Sequence, residues 1–137
     1  MEKSLILLCQ PRLNEDTVEL VLKIGKALRT SFYILAPINR LTITKSAANE
    51  GVDEEELSEK MIHDAYSSLY TLEHRLTQQG VEVNIRASVM SFPEDLIREI
   101  KRTNPSILFV AGKMDPASID SLYNNISIPI LLIPAEE

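Results

Sequence analysis

Apolar and polar residues follow two different rhythms along this chain. Some segments are short, nearly continuous apolar runs, which are typical of strands buried on both faces of a parallel sheet. Longer segments carry an apolar residue every three or four positions, which indicates amphipathic helices. The runs predict five strands: Ser4–Cys9, Ser31–Ile38, Val81–Val89, Ile107–Ala111 and Ile128–Ile133.

Four helices are predicted between these strands. The first buries a face that runs from Val18 to Leu28, and the longest spans Asp53–Gln79 with four acids in its first turn. The third begins near Pro93, and a short fourth follows Asp115, which is a good N-cap residue before proline. The segment Asn39–Val52 has no clear period, so we expect an irregular surface connection there.

The alternation of strands and helices predicts one doubly wound α/β domain over residues 1–137, a five-stranded parallel sheet with helices on both faces. Val81–Val89 alternates between apolar and polar residues, which favours a position near a sheet edge. Ile107–Ala111 is apolar throughout, which favours an interior position.

Composition narrows the possible functions only slightly. The chain has 137 residues, 45% hydrophobic and 25% charged, as expected for a globular protein with one core. Its formal net charge of −6 argues against a nucleic-acid binder, which needs a basic surface to neutralise phosphates. Glycine occurs only four times, which disfavours loops that wrap closely around a phosphate.

The single cysteine, Cys9, lies in an apolar run and is expected to be a buried, unreactive thiol. No apolar run approaches the length of a membrane span, and Leu5–Cys9 is too short for a signal-peptide core. These features predict a cytoplasmic protein without membrane insertion.

The second half of the chain resembles the universal stress protein family. VEVNIRASVMSFPEDLIREIKRTNPSILFVAG is similar to that family's third strand, proline-started helix and glycine-terminated fourth strand, and SIPILLIP is similar to its closing strand. The resemblance implies a fold of the adenine nucleotide alpha hydrolase type, a role in stress response or regulation, and frequent homodimers. Many members of the family bind ATP, and some do not.

The ATP-binding members share the signature G-x2-G-x9-G-[ST] after the fourth strand. Here Gly112 matches its first glycine, but the next signature positions hold Asp115, Asn125 and Ile126. A carboxylate at Asp115 would also repel a phosphate, by about 1 kcal/mol at 4 Å in water. Relative to the family, this chain is therefore predicted to lack ATP binding, to need no cofactor and to act through protein contacts.

A small-molecule or nucleoside sensor is the alternative function. Its candidate crevice lies at the ends of the first and fourth strands and uses Gln10, Ala36, Gly112 and Lys113. Gln10 stands where the family has an aspartate that meets the adenosine. A phospho-receiver is disfavoured because its acids and lysine are missing, and no metal spacing or nucleophile motif is present, so we predict no enzymatic activity.

The closing strand is the candidate dimer interface. Edge strands pair readily with other chains, and dimers of the resembled family use this strand. We predict a homodimer seam formed by Ile130, Leu131, Leu132 and Ile133. A different protein partner is also compatible with the sequence.

Overall fold

A computed structural model describes residues 2–9 and 15–133 of the chain. The described elements alternate between strands and helices as the hydrophobic pattern predicts, except that two helices lie between the second and third strands. In chain order they are β1 (Lys3–Leu8), α1 (Glu15–Leu28), β2 (Ser31–Asn39), α2 (Arg40–Glu50), α3 (Glu54–Gln78), β3 (Val83–Met90), α4 (Glu94–Thr103), β4 (Ile107–Ala111), α5 (Pro116–Asn125) and β5 (Ile130–Ile133).

The five strands form one parallel sheet in the order β3-β2-β1-β4-β5. The first strand is therefore central, pairing with β2 on one side and β4 on the other. The predicted edge position of β3 and the interior position of β4 are both confirmed. This α/β architecture confirms the fold class predicted from the sequence.

The sheet separates two apolar cores. Alternate residues of β1 point to opposite faces: Ile6 packs with helices α1 and α3, whereas Leu5 and Leu7 pack with α4 and α5. Both cores are well sealed, because Ile6, Leu5 and Leu7 are all 0% exposed. The buried hydroxyls of Ser4 and Thr30 lie 3.0 Å apart and satisfy one another at the start of the sheet.

The prediction for Asn39–Val52 is wrong, because this segment contains the regular helix α2. Its ends are set by caps. The Asn39 side chain accepts a hydrogen bond from the backbone N–H of Leu41, and Gly51 ends the helix with a positive φ of 67°. Only Ile43 and Ala47 are buried, so the helix carries almost no apolar periodicity for a sequence pattern to detect.

Candidate functional site

A crevice of about 600 Å³ opens at the carboxyl ends of β1, β2 and β4. This is the edge where open parallel sheets bind ligands. The floor is formed by the strand ends, and α3 and the start of α2 form one wall. The loop between β4 and α5 and the turn before α4 complete the lining, with Lys113 and Phe92 respectively.

Two of the four predicted crevice residues line this space. Ala36, near the end of β2, and Lys113, just beyond β4, are both in contact with it. Gly112 lies directly before Lys113, and its positive φ of 99° favours glycine where the chain turns away from β4. Gln10 lies outside the described residues.

The wall formed by α3 was not predicted. Met61, Asp64, Ala65 and Ser68 follow the spacing i, i+3, i+4 and i+7, so they share one face of the helix and line the crevice. The later part of the same helix buries its leucines in the core instead. A change along this helix could have revealed the wall: the inward face mixes polar and apolar residues in its first half and becomes purely apolar from Leu69 onward.

Asn39 and Thr42 add polar groups from the end of β2 and the start of α2. They were missed because the segment was assigned as an irregular connection. Phe92, from the turn before α4, provides an aromatic surface on the lining. A largely apolar crevice with a few polar side chains at its rim is the usual form of a small-molecule site.

Cys9 lies in the crevice lining at the end of β1. Burial raises the pKa of its thiol to about 12. The group therefore stays protonated at neutral pH, and a thiolate is the form that a nucleophile or metal ligand requires. Cys9 is half-buried, not fully buried as the sequence predicts, and its raised pKa agrees with the predicted low reactivity.

A carboxylate in the loop after β4 caps the helix that follows. Asp115 is the N-cap of α5, and its side chain accepts a hydrogen bond of 3.0 Å from the backbone N–H of Ser118. Hydrogen bonds from the side chain and then the backbone of Ser118 hold the pKa of Asp115 below its ordinary value. Pro116 follows at the first helical position and has no N–H to offer.

The cap makes a direct prediction for stability. Asp115→Ala is expected to lower the free energy of unfolding by about 1 kcal/mol, because it leaves the Ser118 N–H without its partner. Asp115→Asn is the matched control, since asparagine caps helices about as well as aspartate, and a change of only a few tenths of a kcal/mol is expected. Urea denaturation measures both. Equal losses in the two variants would show that charge, and not capping, is what Asp115 contributes.

Two simpler kinds of site find no support in the described part of the chain. Within residues 2–9 and 15–133, His, Cys, Asp and Glu form no cluster of three or more that could hold a metal ion. No helix in these ranges is both long and apolar enough to cross a membrane.

Neither a protein-family model nor a curated protein sequence matches the chain significantly. Solved structures do match along nearly all of it. The hypothetical protein MJ0577 has a TM-score of 0.70 at 16% identity, with 100% of this chain and 99% of that one covered. A universal stress protein family member from Burkholderia pseudomallei has a TM-score of 0.68 at 16% identity, with 96% of each chain covered.

A universal stress protein family protein from Arabidopsis thaliana, solved with AMP bound, has a TM-score of 0.63 at 12% identity, covering 99% of this chain and 93% of that one. Likenesses at such low identity establish a shared fold. The protein therefore has the fold of universal stress protein structures, and the resemblance predicted from its sequence is confirmed at that level.

Proposed function

We propose that the protein is a regulatory domain of the universal stress protein type, active in stress response, that binds a small nucleoside-like ligand without a triphosphate. The observation that carries this proposal is the crevice of about 600 Å³ at the carboxyl edge of the sheet. A crevice of this size favours a ligand-binding domain over one that acts only through protein contacts. The similar fold of the Arabidopsis protein with AMP bound supports the same direction.

The start of α5 argues against a bound triphosphate. A helix N-terminus binds phosphate through free backbone N–H groups. Here Pro116 has no N–H, and the N–H of Ser118 is bonded to Asp115. The Asp115 carboxylate thus takes one of the N–H groups that a phosphate would need at this helix start.

The charges of the described lining residues point the same way. Asp64 and Asp115 are acidic, and Lys113 is basic, so these side chains sum to one negative charge. Each phosphate charge close to Asp115 costs about 1 kcal/mol at 4 Å in water, and more where water is excluded. An uncharged nucleoside avoids this repulsion and can still contact Phe92 and the neutral polar side chains of the lining, Asn39, Thr42 and Ser68.

Ligand titrations test the proposal. We expect adenosine to bind at least about tenfold more tightly than ATP, with AMP between them, because tenfold corresponds to roughly 1.4 kcal/mol of repulsion. Asp115→Asn keeps the cap and removes the charge, so it should narrow the difference between adenosine and AMP. Isothermal titration calorimetry measures the affinities, and tighter binding of ATP than of adenosine would contradict the proposal.

A space-filling variant locates the ligand. Ala65→Phe should fill the crevice from α3 and abolish the thermal stabilisation, which is about 2.7 kcal/mol at 100 times Kd. Ala27→Phe is the control, because Ala27 lies on the exposed face of α1. If none of the three compounds raises the melting temperature of the unmodified protein, ligand binding fails and the reading by protein contacts alone is favoured.

The proposal also includes a homodimer formed through β5. This strand pairs only with β4 in the described sheet, and Leu131 and Leu132 are 41% and 55% exposed. Ile130 is half-buried and Ile133 buried, so within the predicted seam the two leucines are the side chains offered to a partner. A regulatory role without enzymatic activity and a cytoplasmic setting complete the proposal.

A further inference from the structure

A second hollow, of about 250 Å³, lies at the opposite edge of the sheet, where the strands begin. Its polar lining includes Lys3 and Ser31, the first residues of β1 and β2, with Asn84 from β3 and Arg102 from α4. It is separated from the crevice by the length of the central strand, roughly 20 Å for six residues. Binding there would be independent of the crevice.

The side chains around this hollow offer donors and positive charge. Lys3, Asn84 and Arg102 are exposed, and no carboxylate is among its described lining residues. Ser31 adds a hydroxyl, which donates a long hydrogen bond of 3.5 Å to the backbone carbonyl of Glu2. Lysine and arginine together with neutral donors are the groups that recognise phosphate in proteins.

A buried acid on the same helix fixes the orientation of Arg102. Glu99, on the preceding turn of α4, is 5% exposed and accepts a hydrogen bond from Nε of Arg102. The other carboxylate oxygen accepts from Nη1 of Arg86 at 2.5 Å and from the hydroxyl of Tyr33 at 3.1 Å. Hydrogen bonding by Arg102 is the main reason that the pKa of Glu99 lies below its ordinary value, so the acid is ionised at neutral pH.

This arrangement leaves the outer end of Arg102 for a ligand. The side chain is 64% exposed, and it holds Glu99 through Nε, not through its two terminal nitrogens. A guanidinium whose orientation is already fixed loses less entropy when it binds an anion. One carboxylate faces two guanidiniums here, so the cluster keeps a net charge of +1 before Lys3 is added.

We propose that this hollow binds a phosphate dianion, either free or as a monoester, through Lys3 and Arg102, with Glu99 as the positioning residue of Arg102. Neither Glu2 nor Glu82, the acids next in sequence to β1 and β3, lines the hollow. The ligand class follows from the small volume, the two cations and the neutral donors Ser31 and Asn84.

Titration with inorganic phosphate at constant ionic strength tests this site. We expect saturable NMR shifts of the backbone amides of Ser31, Asn84 and Thr103. Lys3→Gln and Arg102→Gln should each weaken binding about threefold to tenfold, since each removes a charged donor. Lys45→Gln changes the net charge equally on the exposed face of α2 and should leave the affinity within about twofold.

Glu99→Gln separates orientation from charge. The substitution removes one negative charge, so attraction alone predicts tighter phosphate binding, whereas loss of a fixed Arg102 predicts weaker binding. Weaker binding in a variant with an unchanged circular dichroism spectrum supports the proposal, and tighter binding overturns the role of Glu99. If Glu99→Gln does not fold, Lys3→Gln against Lys45→Gln still decides the site.

Two further outcomes would overturn the site itself. One is the absence of saturable shifts with phosphate, and the other is equal weakening by Lys3→Gln and Lys45→Gln. A phosphoserine peptide in place of inorganic phosphate distinguishes the sources. Tenfold tighter binding of the peptide identifies a phosphorylated protein segment as the ligand, whereas equal binding identifies a free small phosphate.

Discussion

Replacing Gly25 with alanine is expected to lower the free energy of unfolding by about 2 kcal/mol, although alanine is the better helix former. Gly25 is buried in α1, where the helix lies against β2. A Cβ atom at this position would lie 2.6 Å from Cε2 of Phe32 and 3.2 Å from its Cζ. Phe32 is 1% exposed and in edge contact with Phe109, so a shift of its ring would disturb the packing of the core.

A double-mutant cycle identifies this cause. Phe32→Leu removes the atoms that the new Cβ meets, so in that background Gly25→Ala should be neutral or stabilising by up to about 1 kcal/mol. The coupling between the two sites is then about 2–3 kcal/mol, measured by urea denaturation of the four proteins. Additive effects would show that the contact between α1 and β2 does not require glycine.

If the proposed homodimer forms, replacing Leu132 with lysine is expected to convert it into a monomer. In a symmetric interface along β5, residue 132 of one subunit lies near residue 132 of the other. The substitution therefore brings two lysines together and removes the contacts of two exposed leucines. Like charges at an interface cost several kcal/mol, which corresponds to about a hundredfold or more in the dissociation constant. Size-exclusion chromatography with light scattering measures the mass of each protein.

Leu28→Lys is the matched control for this experiment. Leu28 is also an exposed leucine, at 47%, but it ends α1 just before β2, which lies three strands away from β5 in the sheet. It should leave the mass unchanged. A monomeric unmodified protein at micromolar concentration, or an equal effect of both lysines, would contradict the proposed seam.

The sheet could be predicted because its strands are buried on both faces. Runs such as Leu5–Cys9 and Ile107–Ala111 have no other plausible place than the middle of a layered structure. The ends of the strands were less certain, and β5 begins at Ile130, two residues later than predicted. Pro129 lies just before it, and the preceding apolar residue, Ile128, packs on the core without joining the ladder.

Helix α2 could not be found from periodicity, because only one short stretch of it touches the core. The sequence signals for this helix are its caps, Asn39 and Gly51. Caps act over a few positions only and do not contribute to an apolar pattern. Two of the predicted crevice residues, Ala36 and Lys113, line a hollow at the strand ends, but the contributions of Asp64 and Ser68 depend on how α3 lies over the sheet. That geometry is tertiary, and the mixed character of the first half of α3 is the one local sign of it.

The central place of β1 has a consequence for how the molecule is made. Ser4 pairs with Phe32 of β2 on one side and with Ile107 of β4 on the other. During synthesis, the earliest strand can find its first neighbour quickly, whereas the second emerges from the ribosome some hundred residues later. Until then the middle of the future sheet presents an open, apolar edge, which is the kind of surface through which nascent chains aggregate.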